Sequence, residues 1–408
     1  MLYYELKKVF VKTSAKIAII FLFVVLGIVC YLSVTGVTFV NEEGETEAGF
    51  HAVWSLKKAK NEWSGKLTEE KVAEAIAENI RINETPQCQS EDVKQKNIAY
   101  GWKQGISDIR NMMMHAYGKF TENNYFLPDS LTMEDAENFY DNRVLSLQEW
   151  LNTEAMHQFS EKEKDFLIQK YRSLKTPLYY EYADGWKQLL ENSSAILMIM
   201  VLVSGFLVAG IFPAEIQWKA DAIFYSSRYG RDKAISSKIK AGILITTVVY
   251  WAVILLYFFV VLGVLGFQGA DCAIQTSTAG WKSFYNITYW QEAVIVIIGG
   301  YIGTIFIMML TMLVSAQTKS AVFAVIVPFI AIFVPSFLSG SGSSFLRKLS
   351  GLLPDQLLQM NAAFSCFNLY RIDHRIIGAC ELLPVLYLVG TLLLLPFLYS
   401  IYRKTAKR

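Results

Sequence analysis

An interruption limits this chain more than any other feature. Residues 212–240, FPAEIQWKADAIFYSSRYGRDKAISSKIK, separate two long apolar runs and hold Lys219, Asp221, Arg228, Arg231, Asp232, Lys233, Lys238 and Lys240. At about 2.5–3.5 kcal/mol for each Lys, Arg or Asp at bilayer depth, placing them in hydrocarbon would cost on the order of 20 kcal/mol. The stretch therefore belongs in water against a membrane, and its excess of Lys and Arg marks the cytoplasmic side. Pro213 closes the preceding helix, because proline cannot continue the backbone ladder. Ile216, Ala220, Ile223 and Phe224 recur at near-helical spacing, which predicts a surface helix with one apolar face.

Composition agrees with a membrane chain. Of 408 residues, 53% are hydrophobic, and mean hydropathy is +0.31, too apolar for an ordinary soluble protein. Net charge is near zero, but residues 41–192 carry roughly nine more carboxylates than Lys and Arg, and the remainder is basic. The basic residues flank apolar runs and form no stripe, which argues against nucleic acid as a partner. Five cysteines (Cys30, Cys88, Cys272, Cys366, Cys380) show no CxxC and no ligand spacing with the four histidines. That pattern argues against a disulfide scaffold, with a single Cys272–Cys366 bridge left open.

Taken in order, the chain reads as six spans. Residues 1–16 are basic, through Lys7, Lys8, Lys12 and Lys16, and the run 17–37 is long enough to cross about 30 Å of hydrocarbon. A signal peptide has the same basic-then-apolar order. This run is too long for one, and no clean small-residue cleavage site follows. Residues 41–192 change to soluble character and read as a mostly helical domain. Thr68 opens 69–81, Ser90 opens a stretch to about 119, and Thr132–Asp135 and Ser160–Glu163 are capping-box arrangements. Further spans are expected at 194–213, 241–267, 293–314, 320–338 and 381–402, with Pro328 and Pro335 kinking the fifth. Residues 343–365, oily but broken at Pro354, predict a re-entrant or interfacial hairpin. Both termini then lie inside, at the plasma membrane, with 41–192 outside. The expected fold is an all-α polytopic membrane protein: 1–40 with the first span, 41–192 as the extracellular domain, and 193–408 with five further spans.

No catalytic constellation is present. GxxxxGK[ST] is absent, so the energy source would be another chain, and ATP and Mg would bind there; this chain needs no cofactor of its own. HExxH and GxSxG are absent, which argues against a membrane peptidase or lipase. The ionisable residues Glu215, Glu292 and Glu381 all fall at span ends, which weakens ion-coupled transport and favours amphipathic cargo. Met112, Met113, Met114 and His115 are consecutive and point around a helix, so core packing outweighs a soft metal site. Gly299 and Gly303 form a GxxxG pair that could pack closely, including in a dimer. Glu215 could pair locally with Lys219 at i,i+4 or serve a partner.

The loop also carries a resemblance. Glu215, then Phe224-Tyr225-Ser226, Tyr229-Gly230-Arg231 and Lys238, resembles the first cytoplasmic loop of ABC-2-type exporter permeases. Ala220 stands where that family usually has glycine, and no proline precedes Gly230-Arg231. The large domain after the first span resembles the subgroup related to sodium-extrusion and antimicrobial-peptide-resistance permeases. The resemblance implies that 214–240 is a coupling helix docking on an ATP-binding cassette subunit, through Glu215, Asp221, Phe224, Arg228, Arg231 and Lys238. It also implies a second permease chain, identical or different, and outward movement of an amphipathic or lipophilic substrate, peptides included. Two other functions fit the residues: a mechanotransmission permease acting on the outer domain, and a membrane-anchored receptor or scaffold.

Overall fold

The computed structural model describes all residues except 221, 222, 224–229, 231, 232, 339–343 and 406–408. A short amphipathic helix, α1 (Leu2–Phe10), precedes α2 (Thr13–Thr35), and Lys12 between them is extended. The domain inserted next is built on α3 (Phe50–Asn61), α4 (Glu69–Asn83), α5 (Val93–Lys103), α6 (Ser107–Tyr117), α7 (Phe139–Asn152) and α8 (Glu161–Arg172). The apolar part follows as α9 (Asp184–Ala209), α10 (Ala214–Gln217), α11 (Lys233–Leu265), α12 (Tyr289–Thr318) and α13 (Ala321–Leu338). Three short helices, α14 (Ser344–Ser350), α15 (Asp355–Leu358) and α16 (Met360–Phe364), lead to α17 (Ala379–Thr405). Among the described residues five helices, α2, α9, α11, α12 and α17, are long and apolar enough to cross a bilayer, the pattern of a multi-pass membrane protein. The apolar helix α13 is shorter and contains both Pro328 and Pro335.

Local signals explain several boundaries. The Thr68 side chain accepts the Lys71 N–H at the start of α4, and capping boxes form at Thr132–Asp135 and Ser160–Glu163. The stretch after Ser90 departs from expectation. Asp92 caps it, and a 3₁₀ turn at Gln104–Ile106 divides it into α5 and α6. There the Gln104 amide oxygen accepts the Val40 N–H at 2.8 Å, so a buried tertiary bond is made where the helix breaks. Helices α9 and α11 each begin eight or more residues before the expected span, so α9 continues into the inserted domain. Small antiparallel ribbons add to the helical fold, the longest pairing Leu369–Ile372 with Arg375–Gly378 around Asp373, which is left-handed at φ 53°.

Helix α9 packs against α2, α11, α12 and α13, while α12 also meets α15 and α17. The inserted domain has its own core of Val72, Ile76, Ile109, Met112, Met113 and Phe139, closed by Trp281 from the segment between α11 and α12. The methionine run is thus core packing, as its consecutive spacing implies. Arg143 joins the two parts: its guanidinium lies 3.8 Å from the Tyr171 ring centroid and donates to the carbonyls of Trp281 and Ser283. Lys348 pairs with Glu163 at 2.9 Å, and Trp150 packs on Phe367. The domain, the 266–288 segment and residues 344–378 therefore share one end of the bundle. All five cysteines are free, Cys272 buried and Cys366 exposed.

The GxxxG pair faces inward. A Cβ on Gly303 would stand 2.8 Å from Leu357 Cβ, and one on Gly299 would stand 2.4 Å from Met360 Sδ. The glycines let the 355–364 helices lie against α12 within the same chain, where the sequence left a dimer face open. Gly303→Leu should cost about 1–3 kcal/mol through overpacking. The check is a lower unfolding midpoint of the purified chain, with Gly263→Leu, where a Cβ meets open space, as the control.

Candidate functional site

The root of the charged loop is a buried ion cluster. Helix α9 ends at Ala209, whose carbonyl accepts the Ser315 hydroxyl at 2.5 Å. Pro213 then caps α10, a single turn. Its end is a Schellman closure: Lys219 is left-handed at φ 55°, Ala220 N–H donates to the Glu215 carbonyl at 2.8 Å, and Lys219 N–H to that of Ile216. The helix expected to run through Ile216 and Ala220 therefore stops at Gln217. Ile223, on the same expected face, is 79% exposed.

This turn aims Glu215 into the protein, where it is almost wholly buried. Its two carboxylate oxygens accept from Lys238 Nζ at 2.9 and 2.8 Å, and Oε1 also accepts from Lys8 Nζ at 2.6 Å. Lys238, with no exposed surface, further donates to the Ile211 carbonyl at 2.7 Å and to Glu5 Oε2 at 3.2 Å. Lys8 closes the ring on Glu5 Oε1 at 2.8 Å. Among the described residues two ammonium and two carboxylate groups thus meet, with Glu5, Glu215 and Lys238 buried and Lys8 at the partly open edge. Burial alone would raise the Glu215 pKa, but Lys238 and Lys8 outweigh it and hold the carboxyl below its ordinary value. For Lys8, burial opposes the charge while Glu215 and Glu5 more than compensate, so its pKa is raised. Lys219 is not among the partners of Glu215: it lies beyond the end of the helix that would have set the i,i+4 spacing.

Three segments remote in sequence are fastened at one point: α1, the turn after α9, and the first turns of α11. A fourth joins through Phe212, whose ring meets Tyr402 edge-on at 4.7 Å. Of the six residues singled out in the sequence, Glu215 and Lys238 are in direct contact. Asp221, Phe224, Arg228 and Arg231 lie outside the described residues. Glu5 and Lys8 were missed. The available signal was that Glu5 is the lone acid among the basic residues of the first sixteen, on an amphipathic helix with Lys8 one turn away. Among the described residues, no group of three or more His, Cys, Asp or Glu side chains is placed to hold a metal ion. No family model matches the chain, nor does any curated protein or solved structure.

Proposed function

We propose that the chain is the membrane-spanning subunit of an ABC exporter. In this reading six spans place both termini in the cytoplasm and residues 41–192 outside the cell, and a separate ATP-binding cassette subunit docks on the 214–240 loop. A second permease chain completes the pathway for an amphipathic or lipophilic substrate. The observation that supports it is the ion cluster at the loop's root. A coupling loop must pass a push to its helices instead of bending at its base. Here Glu215 after α9 and Lys238 on α11 are locked together at 2.8 Å in a buried site, with α1 braced against both. Force applied to the loop would reach α9 and α11 together.

The test is purification of the tagged chain from native membranes. The expected result is an ATP-binding chain in fixed ratio, with ATPase activity that Arg231→Glu lowers. A chain that comes out alone points to a receptor or scaffold and rejects the proposal. The mechanotransmission reading draws on one specific feature: α9 runs without a break from the inserted domain into the apolar bundle. Under that reading the reconstituted complex would hydrolyse ATP and change the accessibility of the domain without accumulating any cargo in vesicles.

A further inference from the structure

A cavity of about 580 Å³ lies where the inserted domain meets the ends of α2, α9 and α12. On one wall four charges are already paired off. Lys60 Nζ is 2.7 Å from Asp184 Oδ2 and 2.9 Å from Asp108 Oδ2, and Lys187 Nζ is 2.8 Å from the same Asp108 oxygen. Two further carboxylates line the cavity without such compensation. Glu191 is exposed, and Glu292, in the first turn of α12, is only 5% exposed. Among the described residues the Glu292 carboxylate has no hydrogen-bond or ion partner. The neighbouring walls are apolar at Leu190, Tyr289 and Phe364.

A carboxylate buried among apolar groups with nothing opposite it is costly, and the cost falls when a cation arrives. Since the lysines of the other wall are spent on Asp108 and Asp184, they leave the carboxyls of Glu191 and Glu292 without an ammonium partner in the cavity. An inorganic ion would need several converging ligands, and among the described residues no group of three or more His, Cys, Asp or Glu side chains is placed to hold one. The volume is that of a site for a drug-sized molecule. We propose that this cavity binds an organic ammonium ion with an apolar body. Glu292 is its counter-ion, and the body lies against Leu190, Tyr289 and Phe364. If the chain is an exporter, this narrows the substrate class. Binding by the isolated chain does not depend on that reading, so the two can fail separately.

The experiment is calorimetric titration of phenethylamine into the full chain in phosphatidylglycerol nanodiscs. Saturable binding is expected, with 2-phenylethanol, the same body without the charge, failing to bind. Glu292→Gln should weaken phenethylamine about tenfold or more, the loss of one charge-assisted contact. Absence of saturable binding, equal binding of the alcohol, or unchanged binding by the variant overturns the proposal. Should the variant not fold, carbodiimide labelling of the wild-type protein supplies the answer. Trimethylphenethylammonium, which carries the same body and charge but has no N–H to form an amide with an activated carboxyl, should protect Glu292, and unprotected labelling counts against the site. Adding phosphatidylethanolamine to the discs separates two sources of the ligand: competition by that lipid assigns the site to an amine headgroup, and its absence to a free amine.

Discussion

Lys238→Met is expected to destabilise the purified chain by about 3–5 kcal/mol, the usual cost of deleting one partner from a buried ion cluster. The methionine fills the space of the lysine stem but leaves the Glu215 and Glu5 carboxylates with only Lys8 between them, and the Ile211 carbonyl without its 2.7 Å donor. The double variant Lys238→Met, Glu215→Gln removes the charge left unbalanced. It should recover a large part of the loss, because residues in direct contact are not additive. Equilibrium unfolding in mixed micelles reads both numbers. A single variant as stable as the parent would mean that the cluster does not hold the loop's root. The mechanical argument for a coupling loop would then lose its support.

How far this arrangement could be read in advance depended on distance along the chain. Charges that cannot enter hydrocarbon, apolar runs of spanning length and capping boxes are local or compositional, and they located the loop, the long apolar helices and several starts within the inserted domain. The ion cluster is not local. Glu215 reaches Lys8 across 207 positions and Lys238 reaches Glu5 across 233, so no window of periodicity could pair them. Glu215 was legible only as an acid at a span end, where its i,i+4 neighbour Lys219 looked an equally good partner. The Schellman closure decided between them by turning Lys219 out of the helix, and in doing so it overrode the apolar spacing of Ile216 and Ala220. Gln104 is a similar case: a helical pattern continues through it, and a buried bond to Val40 breaks it. Glu292, too, reads in sequence as an ordinary helix-start carboxylate; only its burial against an apolar wall sets it apart.

His115 should make the inserted domain acid-labile. Its imidazole is buried, and among the described residues neither ring nitrogen has a hydrogen-bond partner. Burial, helped by the charge of Lys282, pushes its pKa from 6.5 down to about 4. Between those values the unfolded chain holds a proton that the folded one does not. Stability is therefore full above pH 6.5 and is lost as pH falls toward 4, by roughly 3 kcal/mol over the window. Below that window both states are protonated and the loss stops. Asp355 acts in the opposite sense: burial raises its carboxyl to about 6, against side-chain and backbone hydrogen bonds, so the fold takes up its proton first and gains as pH falls. Asp129 drops out of the comparison. Burial would raise it, but hydrogen bonds from Arg110, Asn83 and Asn79 hold it at about 2, below the window. The raw profile mixes these groups, and the difference between the wild-type protein and His115→Leu isolates one of them. That variant should be more stable at every pH, since an apolar side chain replaces an unsatisfied polar one. Its advantage should widen by roughly 3 kcal/mol from pH 7 to pH 4. Unfolding of the chain followed at several pH values gives the two curves, and parallel curves would place the imidazole in contact with water.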